Sequence, residues 1–124
     1  MDKTGLGVLG ESRAADELCR NGYKILERNF RSRFGEIDIV AQKDHTVCFV
    51  EVKTRGPNSL GRPCEAVTAS KQRKLMLTAE YYIARHRYAF ERKALQPRFD
   101  CIEVYTDGPS IGVRIDFNAV KPWL

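Results

Sequence analysis

Phe34-Gly-Glu-Ile-Asp-Ile-Val-Ala41 and Val47-Cys-Phe-Val-Glu-Val-Lys-Thr-Arg55, separated by the polar Gln42-Lys-Asp-His-Thr46, decide how this chain folds. Both flanks are rich in β-branched and aromatic residues and the break between them is turn-like, so the stretch predicts a β-hairpin. With the turn centred on Asp44 and His45 and no bulge, residues whose numbers sum to 89 face each other. Asp38 then lies opposite Glu51 and Glu36 opposite Lys53. Side chains alternate along a strand, which sends all four to one face. Facing pairs have Cβ atoms about 5 Å apart, where like charges are destabilising. At an effective dielectric near 20, two carboxylates at that separation repel by roughly 3 kcal/mol. Such a pair persists if a positive group sits between its members or if one carboxyl stays protonated.

On the opposite face Ile37, Ile39 and Ala41 meet Val52, Val50 and Cys48, a core pattern. The charged face also carries Phe34, Val40, Val47 and Phe49. Strands apolar on both faces are usually central and covered above and below by helices, so Asp38, Glu51 and Lys53 are expected to be partly buried. Glu36, Asp38 and Glu51 (three negative) against Lys53 (one positive) leave a formal charge of −2, which one divalent cation would balance. The alternative is a buried salt cluster without chemistry. Such clusters are seldom a net source of stability, and an excess of carboxylates is the wrong stoichiometry for one.

The rest of the chain frames this hairpin. Gly5 to Asn21 predicts a helix with Thr4 as its N-cap and Asn21-Gly22 as its stop. Val8, Ala15 and Leu18 form its apolar stripe with Ala14 and Cys19 alongside. Glu11 shares that stripe; it is either drawn toward the core or held in water by the dipole at the helix start. Tyr23 to Arg31 predicts an edge strand with a basic end at Arg28, Arg31 and Arg33. Residues 56–63 form a loop directly after the Glu51 strand, and loops at strand ends commonly line sites. A second helix from Thr68 to Arg87 buries Leu75, Ala79, Tyr82, Ile83 and His86. Its first turns carry Lys71, Arg73 and Lys74, the wrong sign for the dipole there but well placed to meet phosphate, with a solvated basic face as the reading for Arg73. Tyr81 and Tyr82 are expected as core and rim packing rather than as base-stacking platforms. Tyr88 to Gln96 is expected to be a linker. Strands at Arg98–Tyr105 and 111–117 follow, joined across an Asp-Gly-Pro turn. Trp123 is expected to pack on the body. The order αβββαββ gives a mixed sheet with one helix on each face, an α/β sandwich.

At 124 residues the chain is one domain, 1–124, with 43% hydrophobic and 30% charged residues, ordinary for a globular protein. It shows no signal-peptide pattern and no run of membrane-spanning length, so a cytoplasmic protein away from membranes is expected. The formal net charge of +5 tilts the expectation toward an anionic partner. Cys19, Cys48, Cys64 and Cys101 form no C-x-x-C pair, which predicts free thiols in a reducing compartment rather than a disulfide framework or zinc site. Neither histidine is assigned to a metal.

Asp38, a turn, and then Glu51-Val52-Lys53 resembles the PD-(D/E)xK nuclease superfamily, where an acidic residue on one strand precedes Glu-x-Lys on the next. Gly10-Glu11, Asn21-Gly22-Tyr23, Asn29-Phe30-Arg31, Gly35-Glu36-Ile37-Asp38, Phe49 through Arg55, Ala66-Val67 with Lys71, and Arg98-Phe99-Asp100 together resemble the bacterial YraN-like family, regarded as endonuclease-like. Within the superfamily the arrangement is most similar to archaeal Holliday-junction resolvases, which act as dimers. The resemblance implies a three-layer α/β/α restriction-endonuclease-like fold and a nuclease hydrolysing phosphodiester bonds in DNA, in preference to RNA, including branched or repair intermediates. It implies Asp38 and Glu51 as ligands of Mg²⁺ or Mn²⁺, Glu11 completing the acidic cluster, and Lys53 as the catalytic lysine. Gln72 matches a glutamine that some superfamily members use. Ile37 stands where the signature has proline, a position that varies among members. Arg31, Arg33, Arg55, Arg62, Lys71 and Lys74 are expected to hold the phosphate backbone, giving affinity without reading sequence. A non-catalytic nucleic-acid-binding or assembly module that keeps the nuclease fold is the competing reading. A small-molecule metal enzyme is disfavoured by the basic rim and by the lack of a Gly-rich phosphate loop.

Overall fold

A two-residue turn sets the register of the sheet. Lys43 faces Thr46 across Asp44-His45, and Ala41 pairs with Cys48, Val40 with Phe49 and Ile39 with Val50, the bulge-free register expected from the sequence. Asp44 takes the left-handed conformation (φ 53°), which a short polar side chain tolerates. The structure, a computed structural model, describes residues 5–55, 69–105 and 112–120. Its elements are α1 (Gly5–Arg20), β1 (Lys24–Ser32), β2 (Gly35–Lys43), β3 (Thr46–Arg55), α2 (Ala69–Arg85), α3 (Arg87–Arg92), β4 (Gln96–Tyr105) and β5 (Gly112–Val120). The five strands lie side by side in chain order. Neighbours are antiparallel except β3 and β4, which run parallel and are joined through the α2 crossover. The result is an α/β fold with a mixed sheet, compatible with the restriction-endonuclease-like architecture.

Each sheet face packs on its own helix. Ala14, Ala15 and Leu18 of α1 cover Ile39, Ala41, Cys48, Val50, Ile102 and Val104. Leu75, Ala79 and Tyr82 of α2 cover Val40, Val47, Phe49 and Phe99, together with Phe30 and Ile37. Tyr82 stands edge-on to both Phe30 (5.0 Å between centroids) and Phe49 (5.6 Å), the geometry the ring quadrupole favours. β3 is apolar on both sides because it lies at the centre of the sheet.

Four local expectations need correction. Val8 is 51% exposed and Cys19 is exposed, so the buried stripe of α1 begins one turn later than periodicity suggests. Ile37 packs on the α2 side, not with Ile39. The stretch after α2 contains α3 rather than only a linker. Cys19 and Cys48 are free thiols as expected, whereas Cys101 is disulfide-bonded. The expectations for Thr4, Arg62, Cys64 and Trp123 fall outside the described residues. Among the described residues, no helix is long and apolar enough to cross a membrane.

Both α1 and α3 end in the same hydrogen-bonded stop. Gly22 (φ 87°) donates to the Cys19 carbonyl and Tyr23 to that of Leu18. After α3, Ala94 donates to Glu91 and Leu95 to Phe90, with Ala94 at φ 51°. Alanine there carries a Cβ penalty of about 1–2 kcal/mol that glycine avoids, against an entropic cost of about 0.5–1 kcal/mol. Ala94→Gly should therefore raise stability by about 0.5–1 kcal/mol, read as a higher urea midpoint with unchanged slope. A lower midpoint would mean that the flexibility given to the unfolded chain outweighs the relief of strain.

Candidate functional site

The β2–β3 ladder stops at Ile39 and Val50 although both strands continue. Past that point β2 stays bonded to β1 and β3 to β4, so the two central strands part like a fork. Asp38 is the first residue of β2 beyond the ladder. Its Oδ2 accepts a hydrogen bond from the Val52 backbone N–H at 2.8 Å, giving that donor a partner where the ladder no longer does. The same place breaks the alternation of both strands. Asn29 on β1 is left-handed (φ 55°). On either side of it, Arg28 pairs with Ile39 and Phe30 with Ile37. Ile39 packs toward α1, while Phe30 and Ile37 pack toward α2. Strict alternation put Asp38 squarely opposite Glu51 and Glu36 opposite Lys53. Instead Asp38 sits in the fork, and Glu36 pairs with Arg31, its neighbour across β1.

Glu51 and Lys53 continue the α2-facing row of Val47 and Phe49. The Glu51 side chain is 19% exposed, and its Oε1 lies 4.0 Å from Lys71 Nζ of α2. Its Oε2 is buried and has no hydrogen-bond partner among the described residues. A carboxylate oxygen withheld from water without a donor is costly, and a cation is one way to satisfy it. Lys53 is half-buried. Its register neighbour on β4 is Glu103, which is wholly buried. Glu103 accepts hydrogen bonds from Arg55 Nε at 3.2 Å and from the Tyr105 hydroxyl at 3.1 Å. Burial, and next the Glu103 carboxylate, push the Tyr105 phenol up from its ordinary value. Sequence reasoning missed Glu103, although a glutamate between Ile102 and Val104 in a strand apolar on both faces is a sign of a buried carboxylate. Arg55, expected on the phosphate-binding rim, is instead turned toward Glu103.

Glu11 is buried, as its place on the helix stripe allowed, and lies on the α1 side. Its Oε1 is 3.8 Å from Arg28 Nη2. Gly10 lets the helix approach β3 here, since a Cβ at that position would overlap the Thr54 side chain. Glu11 thus approaches the fork from one face of the sheet, and Glu51 and Lys53 stand on the other. Among the described residues, no three His, Cys, Asp or Glu side chains form a group that could hold a metal ion. Arg31 and Arg33 are exposed near the β1–β2 turn, and Lys71 and Lys74 are exposed on α2 beside half-buried Gln72.

The Arg98-Phe99-Asp100 block builds a second polar cluster on the α1 side, to which sequence reasoning gave no role. Arg98 Nε donates to both Asp100 oxygens (2.9 and 3.1 Å), while Nη2 donates to the Tyr23 hydroxyl (2.8 Å) and to Cys48 Sγ (3.1 Å). Burial alone would lower the Arg98 pKa, but its bonds to Asp100 and Tyr23 hold it above its ordinary value. Burial, and then Asp100, push the Cys48 thiol up to about 12. The cluster ties the start of β1 and the end of α1 to the middle of the sheet.

Comparison with known proteins gives a consistent answer over nearly the whole chain. The profile of the uncharacterised protein family UPF0102 matches residues 10–104. A UPF0102 protein of Caldicellulosiruptor saccharolyticus is 47% identical over 121 residues, covering 98% of both chains. UPF0102 proteins of Syntrophotalea carbinolica (48% over 112 residues, 90% of this chain and 88% of the relative) and Caldanaerobacter subterraneus (47% over 105 residues, 85% and 83%) are similarly close.

Two measurements probe these clusters. Removing one member of a buried ion pair typically costs about 3–5 kcal/mol. Arg55 keeps 24% exposure and can turn to water, so Glu103→Ala should cost near the lower end of that range, about 3 kcal/mol in urea unfolding. A loss under 1 kcal/mol would show that the pair is dispensable. In thiol labelling at pH 8, Cys19 should react in the folded protein and Cys48 only after unfolding, because a thiol titrating near 12 holds almost no thiolate there.

Proposed function

The chain belongs to the UPF0102 family, and within it we propose a metal-dependent nuclease that hydrolyses phosphodiester bonds in DNA, branched or repair intermediates included. The observation that supports this best is the buried, unpartnered Oε2 of Glu51 on the half-buried face that carries Lys53, next to the fork holding Asp38. Hard divalent cations such as Mg²⁺ and Mn²⁺ take oxygen donors, and Mg²⁺ commonly uses one or two carboxylates with water and substrate phosphate completing its shell. Asp38 and Glu51 offer that donor set, so the residues present fit such an ion. When bound, the ion supplies Lewis acidity toward a phosphoryl oxygen and makes a neighbouring water more acidic.

This chain's own residues do the rest. Asp38 keeps its place through the Val52 N–H, so the fork presents a carboxylate that is already oriented. Lys53, positively charged beside Glu51, stabilises the charge that builds on the phosphate in the transition state. Glu11 adds negative potential from the α1 side, tempered by Arg28. Arg31, Arg33, Lys71 and Lys74 hold the backbone of the nucleic acid. One observation favours the competing reading, a nucleic-acid-binding or assembly module: the three acidic residues do not close into a single metal-holding group among the described residues.

Ion binding and cleavage separate the two readings. Mg²⁺ or Mn²⁺ should raise the melting temperature through linkage. Asp38→Asn should abolish that response with little loss of metal-free stability, because the amide oxygen can still accept from Val52. On linear, flapped, four-way-junction and single-stranded DNA, cleavage should require the ion and stop in EDTA. Lys53→Ala should keep the thermal response while losing about 10²–10³ in rate. If no substrate is cut, or Lys53→Ala cuts as well as the parent, the nuclease reading fails and the binding module replaces it.

A further inference from the structure

The β1–β2 turn and the C-terminal half of α2 border a recess of about 330 Å³ lined by Ser32, Arg33, Phe34 and Tyr81. Phe34 and Tyr81 supply its aromatic surface. Each ring is held by its surroundings. The Arg33 guanidinium lies 4.9 Å from the Phe34 centroid, and that of Arg85 lies 5.7 Å from the Tyr81 centroid and donates to the Tyr81 hydroxyl at 3.3 Å. Phe30 supports Tyr81 from the core at 6.0 Å. The turn is locked as well: the Phe34 N–H donates to Ser32 Oγ, which donates to Thr78 Oγ1. These contacts position both rings before anything binds, which lowers the ordering cost of association.

The surrounding charge says what kind of group the recess suits. Arg33 lines it, Arg85 meets Tyr81, Lys74 lies against Gly35 beside the same turn, and all three are exposed. A second recess of about 420 Å³, between α2 and α3, makes the contrast: Glu80 and Glu91 line it, and its Arg87 is paired with Glu91. Of the two, the first joins aromatic surface to a basic side chain with no acidic residue in its lining. A flat group with a π-face, carried on an anionic chain, meets both requirements, and a nucleobase is such a group.

The recess also lies in line with the fork. Lys71, Lys74, Thr78 and Tyr81 follow one another at spacings of three or four, so they share one stripe of α2. Lys71 faces Glu51, and Gly35 of the turn lies against Lys74 and Thr78. At 1.5 Å per residue the ten steps from Lys71 to Tyr81 span about 15 Å, a few nucleotides of strand. A base stacked in a duplex shows no free face to such a recess. We propose that the recess between Phe34 and Tyr81 takes an unpaired nucleobase, a few nucleotides from the phosphodiester held at the fork, and so selects substrates with single-stranded character. The proposal rests on the nucleic-acid reading given above and adds to it the form of the substrate.

The test uses the full chain with short oligonucleotides carrying the fluorescent base 2-aminopurine, single-stranded, flapped or fully paired. Stacking should quench the fluorophore on single-stranded and flapped DNA. Tyr81→Ala should remove the quenching and weaken binding to those forms about ten- to hundredfold, leaving duplex affinity unchanged. Tyr81→Phe should restore both, which separates loss of the ring from loss of the fold, and Phe34→Leu should reproduce the defect at the other wall. Equal losses on duplex and single strands, or none on either, would overturn the proposal. Cleavage by the parent with no effect of Tyr81→Ala on any substrate sinks the recess and leaves the nuclease standing. Tyr81-dependent quenching without cleavage does the reverse.

Discussion

Two adjacent strands that stop bonding inside a sheet leave backbone groups facing nothing, and a protein interior does not tolerate that. The parting of β2 from β3 beyond Ile39 and Val50 is the constraint on which the candidate site depends. Asp38 meets part of the demand by accepting the Val52 N–H. A carboxylate suits this role because hydrogen bonds to a charged acceptor are stronger than neutral ones. The same bond fixes where its charge sits. Asn29 on the neighbouring strand takes up the mismatch by turning left-handed, so that residues on either side of the break reach different cores.

The ion pairs on the two faces of the sheet then decide how much charge is left over. Glu36 is matched by Arg31 and Glu103 by Arg55, so neither contributes to the excess near the fork. Asp38 and Glu51 against Lys53, two negative to one positive, leave a formal charge of −1. Lys71 stands at the limit of an ion pair with Glu51, and its side chain is 55% exposed, so solvent screens much of what it offers. The buried Glu51 Oε2 is where the shortfall is felt. A purely structural salt cluster would have closed that gap with a further donor. That gap is where the proposed function would place a cation.

What the sequence made legible follows the physics of each signal. The β2–β3 register was readable because a two-residue turn between alternating strands leaves little freedom. The core rows Ile39, Ala41, Cys48, Val50 and Val40, Val47, Phe49 followed from it. Alternation failed at Asn29 and Asp38 because period-two patterns carry no mark of a single left-handed residue. Glu103 escaped notice for a different reason. Its neighbour Lys53 lies on a parallel strand reached through a crossover helix, and no local spacing encodes parallel register. The short α3 was hidden because His86 gives it no side-chain cap and six residues are too few for a periodic stripe. Glu11 was legible as a glutamate on an apolar stripe, but which face of the sheet it would approach depended on how α1 packs.

Helix α2 links the proposed ion site to the proposed recess for a base. It starts with Lys71, Arg73 and Lys74 and has no acidic residue in its first turn, an arrangement that works against its own dipole. Part of that cost is offset by Glu51, which meets Lys71, and part by the packing of the Lys74 side chain against Gly35. Two turns further along the same stripe, Thr78 meets the β1–β2 turn and Tyr81 lines the recess. The buried residues Leu75, Ala79 and Tyr82 press the helix onto the sheet and fix its position along β2 and β3. Because one rigid rod carries Lys71 and Tyr81, the separation between fork and recess is set by helical rise and not by loop conformation. A change that slid α2 along the sheet would displace the lysine from Glu51 and the tyrosine from Phe34 together, so the two proposed surfaces are kept or lost as a unit.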